Sequence, residues 1–102
     1  MESEYPILID TFLDDSEQRL VQLQRALLAR ISCLEALGMA AHSFKGSCGN
    51  MGALRLAELC GQLEERTLRG EIDDAPEWVS KIAREFATVR RLFSEERKRY
   101  TE

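Results

Sequence analysis

The chain has no run of consecutive apolar residues approaching the roughly 18 that span a bilayer, and its start, MESEYPILIDTFLDD, has no basic opening of a secretory leader. A soluble, cytoplasmic protein with no membrane contact is therefore the expectation. Positive charge is also scarce, with fourteen Lys and Arg against eighteen Asp and Glu and a net charge of -4. That balance removes the electrostatic basis for holding a phosphate backbone, so nucleic acid is excluded as the main partner. Cys33, Cys48 and Cys60 are odd in number, with no C-x-x-C, and a single His is present. This excludes a zinc site and a disulfide framework and leaves reduced, mostly buried thiols, so no metal and no cofactor is expected. Two prolines and six glycines exclude collagenous and low-complexity chains.

What is present is a charged, apolar-rich helical composition: 31% of the 102 residues are charged and 44% hydrophobic. That suffices for one core and one domain, residues 1–102, and monomer is the expected state. Ile9, Leu13, Leu20, Leu23, Leu27 and Ile31 keep a three-four spacing, with Ser16 in the same row, and Pro6 suits the first turn of that helix. Ser32 with Glu35 reads as a capping box before a second stripe of Leu34, Leu37, Ala41, Phe44, Cys48 and Met51, which Gly52 ends. A third stripe is Leu56, Leu59, Cys60 and Leu63, closed by Gly70. Asp74 and Glu77 repeat the capping pattern before Ala75, Val79, Ile82, Phe86, Val89 and Phe93. Trp78 and Tyr100 read as packing aromatics, and the mixed-sign tail from Glu95 to Arg99 as a solvated helix end. Four amphipathic helices with short connections make an all-α, up-down antiparallel four-helix bundle, its first and last helices about 25 residues long.

On the second helix, at about 100° per residue, His42 falls about 130° from the centre of the core stripe and faces solvent. Gly38, Met39, Lys45 and Gly46 are its neighbours on the helix surface, and Gly49 follows one turn on. Glycine inside a helix costs about 1 kcal/mol relative to Ala, so three of them beside one imidazole need a reason. Bare surface lets a macromolecular partner bring a reactive group close; the competing reading is close helix packing. A neutral imidazole has one ring nitrogen free as a nucleophile, able to accept a phosphoryl group, and Lys45 can offer its charge to the transferring oxygens. His42 and Glu64 lie eleven positions either side of Ala53, the centre of the second turn, and so at the same height in a hairpin. Glu64 can then accept the Nδ1–H of His42, or it can pair with Lys45 instead. Met39 is a candidate docking contact.

The run Ala41-His42-Ser43-Phe44-Lys45-Gly46-Ser47-Cys48-Gly49-Asn50-Met51-Gly52-Ala53, followed by Leu56-Ala57-Glu58-Leu59-Cys60 and Leu63-Glu64, resembles the motif of histidine-containing phosphotransfer domains of multistep two-component phosphorelays. It covers about a third of the chain in detail, and the helix pattern extends it over most of the rest. The resemblance implies that His42 is the phosphoacceptor, that Lys45 supports the phosphoryl charge, and that Glu64 bonds to the His. It also implies that Gly46 gives clear access to receiver domains of response regulators and hybrid sensor kinases, which bring their own Mg²⁺; Gly49 and Met39, from their positions on the helix surface, are read as further docking contacts. Such a chain is a covalent carrier and not an autonomous ATP-using enzyme; no nucleotide-binding loop is present. Family members often carry a short helix ahead of the first long one, and four residues precede Tyr5 here. The rival from another class is a docking bundle for a signalling protein that is never phosphorylated.

Overall fold

The computed structural model describes residues 4–28, 33–71 and 73–100. They form four helices, α1 (Glu4–Leu28), α2 (Cys33–Met51), α3 (Leu54–Leu68) and α4 (Ala75–Lys98), with no strand among the described residues. The helices neighbour one another in a ring, α1 on α2, α2 on α3, α3 on α4 and α4 on α1. Partner residues run in opposite order along adjacent helices. Asp10 and Glu17 of α1 take Arg97 and Arg90 of α4, and Arg55 and Arg66 of α3 take Glu85 and Asp74 at the α4 end. The bundle is therefore antiparallel, up and down, in a molecule 47 × 20 × 19 Å.

Two glycines set the lower and upper corners. Gly52 and Gly70 have φ of 79° and 76°, the left-handed region where a Cβ is strained. Around each, a pair of bonds closes a Schellman motif: Ala53 N–H to Cys48 O with Gly52 N–H to Gly49 O, and Glu71 N–H to Arg66 O with Gly70 N–H to Thr67 O. The first leaves only two residues between the end of α2 and the start of α3, which presses the two helices into a tight hairpin.

The α3 stripe buries as its spacing requires, with Leu56, Leu59, Cys60 and Leu63 facing Leu37, Ala41, Phe44 and Cys48 of α2, while Leu34 and Met51 at the two ends of the α2 stripe are half-buried. Phe44 and Phe86 meet edge to face across the centre, their centroids 6.3 Å apart. On α1 the buried line is Ile9, Phe12, Ser16, Leu23 and Ala26, while Leu13, Leu20 and Leu27 are half-buried flanks. The inner face is thus turned toward Phe12, which stacks edge-on against Phe93 at 5.3 Å. A three-four row can be satisfied by either of two adjacent faces, and the aromatic contact decides between them. Ser16 is fully buried, and its hydroxyl has no hydrogen-bond partner.

Asp74 stands at the N-cap of α4, but its side chain makes no capping bond. Its Oδ2 instead accepts from the Arg66 guanidinium at 2.5 Å and the Trp78 indole at 3.2 Å, a stronger, charge-assisted use of the same oxygen. Arg66 and Lys81 also lie against the Trp78 ring, 4.6 and 4.4 Å from its centroid, so the buried indole ties α3 to α4. The charged end of α4 is not merely solvated, because Arg97 grips Asp10 with two bonds of 2.9 and 3.0 Å. Beyond it Tyr100 is exposed but stacks edge-on with Tyr5. Cys48 and Cys60 are free, buried thiols, and their mutual hydrogen bond together with burial pushes Cys60 far above the ordinary thiol range. The Ile31 end of the first stripe, the Ser32 cap and the Cys33 thiol lie outside the described residues. No helix among the described residues is long and apolar enough to cross a membrane.

Candidate functional site

His42 lies midway along α2 on the side away from Phe44, and its side chain is 68% exposed. The tight α2–α3 hairpin brings Glu64 opposite it. His42 Nδ1 and Glu64 Oε2 are 2.6 Å apart, and Lys45 Nζ donates to the other oxygen, Glu64 Oε1, at 2.7 Å. The two pairings that the sequence leaves as alternatives coexist, one on each oxygen of a single carboxylate.

The electrostatics fix where the proton sits. The Lys45 hydrogen bond foremost, and the His42 bond with it, hold the Glu64 carboxyl below the ordinary carboxylate range against the opposing effect of partial burial. An ionised carboxylate can only accept, so the hydrogen in the 2.6 Å contact belongs to Nδ1. In the neutral ring Nε2 is then left with its lone pair. Lys45 is partly buried, and its charge is directed at Glu64, with the imidazole one carboxylate further along.

The glycines of α2 divide into two kinds. A Cβ placed on Gly46 or Gly49 meets no atom within 4 Å, so both leave open surface on the His42 side of the helix. A Cβ on Gly38 stands 2.7 Å from Thr67 Oγ1, so Gly38 serves close packing of α2 on α3 and is not part of the bare surface. Thr67 is held there because its hydroxyl donates to Glu64 O at 2.6 Å. On the other side of the imidazole is a groove of about 690 Å³ whose lining includes Leu34, Gly38, Met39, Thr67 and Leu68. Met39 is 66% and Leu68 81% exposed, an apolar margin beside a polar centre. The sequence pattern did not single out Thr67 and Leu68, and it placed Leu34 in the α2 core stripe, whereas Leu34 is half-buried and lines this groove. Leu68 is the last residue of α3, five positions beyond Leu63 and off the three-four row of the stripe. Among the described residues no group of three or more His, Cys, Asp or Glu is arranged to hold a metal ion.

The sequence of residues 7–92 matches the model of the Hpt domain family. The chain belongs to the Hpt domain family. Among solved structures, it is similar to histidine-containing phosphotransfer protein B (HptB) from Pseudomonas aeruginosa PAO1, at 53% identity and a TM-score of 0.92. That likeness covers 98% of this chain and 85% of the other. No curated protein matches the chain. The bundle that carries the exposed imidazole is thus the Hpt helical bundle.

Proposed function

We propose that this Hpt domain is a phosphorelay intermediate that takes a phosphoryl group onto His42 from a receiver aspartate or a sensor kinase and passes it to the receiver aspartate of a response regulator. The observation that carries this reading is the exposed imidazole whose Nδ1–H is held by Glu64 at 2.6 Å. Nε2 is the nucleophile. It attacks phosphorus in line as the bond to the aspartate carboxylate breaks; the carboxylate leaves with the electron pair and the N–P bond forms. Return of the phosphoryl group reverses each change.

Glu64 has two tasks in this step. It fixes the tautomer that exposes the Nε2 lone pair, and it balances the positive charge that spreads over the ring as the N–P bond forms. Lys45 keeps the carboxylate ionised and aimed, and its ammonium supports the charge of the transferring phosphoryl group. Gly46 and Gly49 let a receiver approach without a side chain in the way, and Met39 lines the docking margin. The acidic pocket and Mg²⁺ belong to the receiver, where the metal neutralises phosphoryl charge. The domain acts as a carrier and not as an ATP-using enzyme, as a monomer in the cytoplasm.

The test mixes the purified protein with a phosphorylated receiver domain and Mg²⁺ and follows labelled phosphate. Acid-labile, base-stable label is expected on wild type and none on His42→Gln. Glu64→Ala should slow transfer about tenfold, the worth of one charge-assisted hydrogen bond. Receivers that bind wild type yet transfer nothing would replace this reading with that of an unphosphorylated docking bundle.

A further inference from the structure

Gly61 lies in the interior of α3, three residues before Glu64 and so on the same face of the helix. Its backbone is not in the left-handed region, and no turn is formed there. Ala is the better helix former at such a position, so the glycine has a cost that needs a counterpart. The surroundings supply one candidate. A Cβ built on Gly61 meets a single neighbour within 4 Å, the Cδ of Lys45, at 3.2 Å. No backbone of an adjacent helix is near, so close helix packing does not explain the residue.

The Lys45 stem therefore crosses α3 over the gap left by Gly61 and ends on Glu64 Oε1 at 2.7 Å. A lysine stem has several rotamers and loses them only where it is seated. The seat is the bare backbone of Gly61. We propose that Gly61 is a positioning residue for the His42 site, its missing side chain giving the Lys45 stem the path by which the ammonium holds the Glu64 oxygen that the imidazole does not use. The chain of contacts is Gly61 to Lys45, Lys45 to Glu64, Glu64 to Nδ1 of His42. Its role in transfer rests on the phosphotransfer reading above, whereas its effect on the tautomer does not.

The experiment compares Gly61→Ala and Gly61→Leu in the wild-type and Lys45→Met backgrounds. Three quantities are read: thermal stability, the His42 tautomer ratio from ¹⁵N NMR of the unphosphorylated protein, and the rate of label transfer from a phosphorylated receiver. Both variants should keep or raise the melting temperature, because Ala and Leu favour the helix, while the Nδ1–H tautomer loses population. Transfer should slow by about threefold for Ala and about fivefold for Leu, each less than the loss of the whole charge-assisted bond. In the Lys45→Met background neither substitution should have a further effect. An unchanged tautomer ratio in both variants, or equal effects with and without Lys45, overturns the proposal. If wild type accepts no label, the phosphotransfer reading falls, and the tautomer ratio still decides whether Gly61 positions the pair.

Discussion

The glycines of α2 allow stability and access to be separated by substitution. At Gly46 an added Cβ meets nothing within 4 Å and the position is mid-helix, so Gly46→Ala should gain the full helix propensity, about 1 kcal/mol. For a domain of this size that raises the melting temperature by about 4 to 8 °C. Gly38→Ala adds the same propensity but sets its Cβ 2.7 Å from Thr67 Oγ1, whose hydroxyl is tied to Glu64 O. Overpacking of that kind costs about 1 to 3 kcal/mol, so the sign should reverse and the melting temperature fall. Gly46→Gln keeps a good helix former yet raises a long side chain beside His42. Displacing a docked receiver by a similar clash corresponds to roughly a five- to hundredfold slower transfer. Thermal denaturation by circular dichroism and label transfer from a phosphorylated receiver measure both quantities on the same samples. A Gly46→Gln protein that is more stable and transfers as fast as wild type would refute the access argument; a destabilised Gly46→Ala would refute the open surface beneath it.

Phe44 is fully buried against Phe86, two residues from His42 but on the opposite face, so Phe44→Ala should cost about 3 to 5 kcal/mol in denaturant titrations. A loss under 1.5 kcal/mol would mean that the centre of the bundle is not packed as described. In acid, Glu64 and Asp10 both matter, the first held low chiefly by Lys45 and the second by Arg97. A carboxyl whose folded pKa is depressed contributes stability that is fully present above its unfolded value and lost as the pH falls through the folded one. Melting temperature should therefore hold from neutral pH to about 4 and drop below it. The Glu64→Gln, Asp10→Asn double variant should show a shallower drop, and the same slope in both proteins would contradict the assignment.

Much of this protein is written in local pattern. The α3 stripe is buried as spaced because Leu56, Leu59, Cys60 and Leu63 occupy one arc of the helix. Gly52 and Gly70 end their helices because only a residue without Cβ takes a positive φ cheaply. The exposure of His42 follows from its angle to Phe44 and Cys48, and its height relative to Glu64 follows from a two-residue turn.

Other features depend on what stands across a gap, and no periodicity carries that. The choice of the Phe12 side of α1 was made by Phe93, eighty-one positions away. Asp74 has a capping sequence, yet Arg66 and Trp78 compete for its oxygen more strongly than a backbone N–H does. The three glycines of α2 look alike in sequence; Thr67 makes one a packing residue, and empty space makes the other two surface. Glu64 illustrates the division most directly. Its register opposite His42 was determined by the chain, but whether it serves the imidazole or Lys45 is a matter of a few ångströms between side chains on two helices. The tertiary structure answers with both, because a carboxylate has two oxygens and the hairpin brings one donor to each.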